Sequence, residues 1–157
     1  MKKLTNLLQC LLFIFMIFYP GSSSAQNAEQ SISLKVKAIP YALQKLNNPL
    51  KIEIEDNSSI TILADKNTNL FNSPGGNFYR QNAPMLLFQP DSNFILKAKV
   101  TAELKEVYDV AALVIYHDKD LWAKLCFENS ANKESLVVSV VTRKYSDDCN
   151  SFRLSNN

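Results

Sequence analysis

The chain has 157 residues, with 17 basic and 15 acidic side chains, a formal charge of +2 and 46% hydrophobic residues. No basic run is present to neutralise a phosphate backbone, which excludes a nucleic-acid partner. The two cysteines beyond the first 25 residues, Cys126 and Cys149, with the single histidine, His117, supply three ligands where a structural zinc takes four, so no metal and no cofactor is expected.

At the start of the chain, Met1-Lys2-Lys3 precedes the apolar run Leu11 to Tyr19, which Pro20-Gly21 closes ahead of Ser22-Ser23-Ser24-Ala25. That is the layout of a secretory signal peptide over residues 1–25, with cleavage after Ala25. The run is shorter than the roughly 20 residues a spanning helix needs, which argues against an uncleaved anchor. Cys10 lies before the run and follows Gln9, which argues against lipid attachment. The expected product is exported, periplasmic or extracellular, and free of the membrane after cleavage. Removing residues 1–25 leaves 132, enough for one domain. It also takes away Lys2 and Lys3, so 15 basic residues face 15 acidic ones and the formal charge falls to zero.

Residues 26–44 read as a polar leader with a weak edge strand from Leu34 to Ala38, which Pro40 ends. The domain proper is expected over residues 45–157. Leu50, Ile52 and Ile54 alternate with charged residues, and Ile60, Ile62 and Ala64 resume after Asp56-Asn57-Ser58-Ser59, a hairpin pattern. Asp65 to Gln81, holding Ser73-Pro74-Gly75-Gly76, reads as a long loop. Strand-like runs follow at Met85–Phe88, Phe94–Ala102, Tyr108–Tyr116, Trp122–Phe127 and Leu136–Arg143. The nearest approach to a helix, Ala38 to Leu46, is limited by Pro40. The predicted class is an all-β antiparallel sandwich.

In Leu121-Trp122-Ala123-Lys124-Leu125-Cys126-Phe127-Glu128, alternation separates two faces, and Leu121, Ala123, Leu125 and Phe127 are expected to point into the core. Trp122, Lys124, Cys126 and Glu128 then share the other face. An aromatic plane beside a cation and a carboxylate is the equipment of a sugar site. The plainer reading, in which Trp122 covers a sheet edge and Lys124 pairs with Glu128 in solvent, stands beside it. The run from Val107 to His117 is nearly continuous in apolar residues and reads as a central strand covered on both faces. Asp109 interrupts it, either as a hydrogen-bonded cap at the strand entrance or as an acid–base group. Asp109, Glu128, Asp147 and Asp148 are the carboxylates available, with Glu128 and Asp109 the candidate catalytic pair, although no close acidic spacing on one strand marks a glycosidase. His117-Asp118-Lys119-Asp120 reads as a solvated turn. Cys126 and Cys149 are not expected to form a required disulfide, since one lies in a strand and the other in a terminal tail.

The ordered series Thr68-Asn69-Leu70-Phe71, Asn82-Ala83-Pro84, Phe94 to Val100, Tyr108-Asp109-Val110-Ala111-Ala112-Leu113, Trp122-Ala123-Lys124, Glu128, Val140-Val141-Thr142 and Ser146-Asp147 resembles the regulation-of-enolase-like family of unassigned function, within the concanavalin A-like lectin/glucanase superfamily. The resemblance spans about residues 45 to 148. It implies a jelly-roll sandwich with ligands on the concave face, and a ligand-binding set of Asp109, Trp122, Lys124, Glu128, Thr142, Ser146 and Asp147. Asn69, Ala112, Cys126 and Asp148 depart from it, standing where the family tends to have Asp, Gly, Gly and Trp. The family normally continues past Ser146-Asp147 through further strands, so a truncated member is expected, with self-association through exposed sheet edges. The expected function is an exported glycan-binding module. The alternatives are a hydrolase or lyase of the same superfamily and an interaction protein without a small ligand.

Overall fold

The computed structural model describes residues 34–55, 58–91 and 93–154, so the expected signal peptide and residues 26–33 of the leader lie outside it. Eleven strands are present among these residues: β1 (Leu34–Val36), β2 (Ile39–Leu46), β3 (Lys51–Glu55), β4 (Ser59–Leu63), β5 (Leu70–Asn72), β6 (Tyr79–Gln81), β7 (Met85–Leu87), β8 (Val110–Asp118), β9 (Leu121–Asn129), β10 (Ser135–Arg143) and β11 (Tyr145–Arg153). Every pairing is antiparallel, and no described residue is helical. The fold is all-β, as the alternation predicts.

The largest sheet has the order β11-β10-β9-β8, and smaller sheets run β1-β2-β7, β3-β4 and β5-β6. Tight turns join the four long strands. Asp118 Oδ1 accepts the amides of Asp120 and Leu121 at 2.8 and 2.9 Å, which makes His117–Asp120 the solvated turn expected. Lys144 closes the β10–β11 turn in the left-handed region (φ 68°), where its amide donates to the Asp120 carbonyl at 2.6 Å.

The β3–β4 hairpin forms in the expected place, with Ile52 opposite Ile62 and Ile54 opposite Ile60. Four other expectations are corrected. The supposed loop over Asp65–Gln81 contains the β5–β6 hairpin, turned at Ser73–Gly76 with Gly76 at φ 70°. Pro40 does not end the ladder: it lies within β2, which runs Ile39–Leu46 and pairs with β1 after a turn at Lys37–Ala38. The tail holding Cys149 is β11, paired along β10 from Tyr145 to Arg153 with a bulge at Ser151. Phe94–Ala102, although it alternates, forms no strand, and Phe94, Ile95, Leu96 and Val100 are exposed. Alternation makes a strand only when a partner edge is within reach, and β8 follows without meeting that segment.

The core lies on the face of the large sheet expected to be open. Trp122, Cys126, Leu136, Val138 and Val140 pack against Leu70 and Met85, with Leu46, Phe71, Leu87, Val114 and Tyr116 around them. Trp122 is 3% exposed, whereas Leu121 is 44% and Leu125 51% exposed. The expected separation of faces is therefore real, but its sense is inverted. β10 tilts the choice only slightly, because Val137 and Val141 on one face stand against Leu136, Val138 and Val140 on the other. The short hairpin that was read as a loop decides it. Likewise β8 is an edge strand, not a central one, and Ile115 is 75% exposed.

Asn72 fixes that hairpin to the sheet. Its amide hydrogen reaches Ser146 Oγ at 2.9 Å, its Nδ2 donates to the Lys144 carbonyl at 3.0 Å, and its Oδ1 accepts from Gln81 Nε2 at 3.1 Å. Asn72 is 1% exposed, so loss of these partners leaves buried polar groups without compensation. Asn72→Ala is expected to lower stability by about 1–3 kcal/mol in urea denaturation.

Candidate functional site

β9 presents Trp122, Lys124, Cys126 and Glu128 on one face at two-residue intervals. β10 sets Thr142, Val140, Val138 and Leu136 directly beside them, and β11 follows with Ser146, Asp148, Asn150 and Arg153. The end of this face nearest Trp122 is covered by β5 and β7. The end nearest Glu128 opens into a groove of about 440 Å³ lined by Tyr108, Glu128, Asn132, Asp148, Asn150 and Arg153, among others. That volume lies within the roughly 300–1,000 Å³ range of small-molecule sites.

The expected site residues separate into three groups. Glu128 lines the groove. Trp122 and Lys124 lie beneath the β5 cover, with Lys124 Nζ 5.8 Å from the indole centroid and Trp122 Nε1 without a hydrogen-bond partner. A ring so enclosed offers no face to a sugar, so Trp122 as a stacking platform is corrected to a core residue. Thr142 and Ser146 are buried and bonded to each other at 2.8 Å, and Ser146 also accepts from Asn72, so their hydroxyls hold the cover in place. Asp147 pairs across from Val141 and lies on the opposite face of the sheet. Asp109 Oδ2 accepts the amides of Lys105 and Glu106 at 2.9 and 2.8 Å, the capped strand entrance that was one of its two readings.

Two further groove residues carry the chemistry of the cleft, Tyr108 and Asp148. Tyr108 is 59% exposed and sits at φ 68°, an unfavourable backbone for a bulky side chain, held by its amide bond to the Asn129 carbonyl at 2.7 Å. Asn129 is itself buried and bonded to the Glu106 carbonyl, which fixes that turn. Asp148, one of the four carboxylates that the sequence offers for acid–base work and a departure from a family tryptophan, lines the groove with Glu128. The available signal was the continuation of alternation through residues 145–150, which places Asp148 on the Lys124 face once β11 is recognised. Ala112 and Cys126, where the resemblance leads one to expect glycine, are cross-strand partners on this same face.

Burial raises the Glu128 carboxyl above its ordinary value; Lys124 opposes the rise and Asp148 adds to it. Burial likewise pushes the Cys126 thiol up to about 11, so it stays protonated and unreactive at neutral pH. Cys126 and Cys149 are both free, lie on opposite faces and are separated by β10, a distance of about 9.6 Å across two strand spacings. No group of three His, Cys, Asp or Glu placed to hold a metal ion occurs among the described residues.

The fold and groove define an antiparallel β-domain with one half-covered sheet face and a polar cleft at its open end. The chain belongs to the DUF1349 family of proteins of unknown function, whose model matches residues 46–157. Comparison with curated proteins and with solved structures finds no match.

Two outcomes follow from the site. Because the folded-state value of Glu128 is raised, its neutral form favours the fold: its contribution is complete below the ordinary glutamate value and is lost as pH rises through the raised one. Glu128→Gln, neutral throughout, should therefore gain stability relative to the parent as pH rises above the ordinary glutamate value, as read by urea denaturation at a series of pH values. In dilute native protein, maleimide labelling mapped by mass spectrometry should modify Cys149 and leave Cys126 untouched until denaturant is added.

Proposed function

We propose that this protein is an exported module that binds a carbohydrate in the groove beside Glu128. One juxtaposition carries the reading: the exposed Tyr108 ring stands at a cleft with Glu128, Asp148 and Asn150. Sugar rings stack their C–H faces on an aromatic plane while their hydroxyls take up carboxylate and amide partners. Tyr108 supplies the plane that the sequence reading gave to Trp122. Lys124 acts from below, through its attraction for Glu128. A concanavalin A-like jelly roll, with the groove on its concave face, is the architecture this reading implies, and cleavage after Ala25 is the route of export.

Hydrolysis is the lesser reading. Asp109, one of its two candidate carboxylates, is engaged by two backbone amides. Glu128 and Asp148 remain, yet a binding site needs such a pair as much as an acid–base site does.

The test is a glycan array with the purified protein, followed by calorimetry on any hit. Tyr108→Ala and Asp148→Ala should each weaken binding at least about tenfold, the equivalent of one lost stacking or charged hydrogen-bond contact. Absence of any bound glycan, or binding that neither substitution changes, would overturn the proposal.

A further inference from the structure

The face of the large sheet opposite the groove carries no cover among the described residues. Ile115, Leu121, Leu125, Val141 and Tyr145 stand on it, from 44% to 75% exposed. Its register is regular: Leu121, Arg143 and Tyr145 form one cross-strand row, and Ile115, Ala123, Val141 and Asp147 the next.

We infer that this face packs against the same face of a second copy of the chain, closing a two-sheet sandwich between protomers. Area supports that occupant. Four strands of nine residues, at about 4.8 Å spacing and 3.4 Å rise, make a face of about 19 by 30 Å, or nearly 600 Å². Two such faces together remove about 1,200 Å² or more, the lower bound for a specific stable interface. Twisted antiparallel sheets stack face to face at about 10 Å in this way without insertion of another element.

Charge supports a copy as well. Arg143 and Asp147 are the basic and acidic residues of β9–β11 on this face, and they lie in neighbouring rows with opposite signs, while Asp118, at the β8 end of the Leu121 row, is engaged by its own turn through the Asp120 and Leu121 amides. A neutral face of this kind meets itself across a twofold axis without net repulsion. The inference is independent of the groove, which lies on the other side of the sheet.

The rival mode is edge addition, since the outer edges of β8 and β11 are unpaired in the sheet. β9 and β10 are central and have no free edge, so charges placed on them separate the two modes. The experiment is sedimentation of the purified protein over a range of concentrations, beside L125E/V141E and a control, Thr61→Glu, on the remote β4. The parent and control should be dimers. The double variant should be a monomer with its dissociation constant raised at least about 100-fold and its circular dichroism unchanged. Cys149 lies on the same face, in register with Ser139 and Leu125, and gives a second readout that needs no destabilising change. Its alkylation rate in the reduced parent protein should fall as concentration rises. A monomeric parent, a dimer that survives L125E/V141E, or a Cys149 rate independent of concentration would overturn the inference.

Discussion

The structure depends on which face of the β8–β11 sheet receives the short β5 hairpin. Both faces of β9 and β10 carry enough apolar side chain to form a core, so hydrophobic burial alone does not choose between them. Directional bonds choose. Asn72 reaches the Ser146 hydroxyl and the Lys144 carbonyl, and these groups are presented only where β10 turns into β11. Gln81 extends the same attachment to the Lys119 carbonyl, and Asn47 ties the end of β2 to the carbonyls of Gln81 and Ala83. Once this polar seam closes, Leu70 and Met85 are held over Trp122 and the open side is fixed by elimination.

The strands themselves were legible because period-two alternation is a local property. Leu121–Glu128 separated into two faces as expected, and the β3–β4 hairpin formed in its expected place. The sense of the faces was not legible, because it depends on contacts such as Asn72 to Ser146 that span 74 residues. The same limit explains Phe94–Ala102, whose alternation is as clean as that of β3 but which found no edge to join. Asp109 was legible as a cap because its partners, Lys105 and Glu106, are only a few residues away. Tyr108 was not, since its exposure follows from a positive φ that nothing in an apolar run announces.

A single sheet thus carries two opposite chemistries, and strand alternation is what keeps them apart. On β11, Asp148 and Asn150 turn to the groove while Asp147 and Cys149 turn to the apolar face. The bulge at Ser151 restores the phase, so that Arg153 comes back beside Leu136 and Phe152 beside Val137. Arg153 is thereby placed for its ion pair with Glu134 at 3.1 Å, at the mouth of the groove. Without the extra residue, arginine would fall on the apolar face.

The covered end of the groove face holds the one buried side-chain polar atom found without a partner among the described residues, Trp122 Nε1. An orphan donor costs free energy that a phenyl ring in its place would not. Lys124 adjoins it, also buried, with its ammonium near the indole and its charge felt by both Glu128 and Cys126. A purely structural core would be served better by apolar side chains at both positions. Their polar groups run in one line along β9 toward Glu128, and this continuity between the core and the cleft is what ties the packing of the sheet to the electrostatics of the groove.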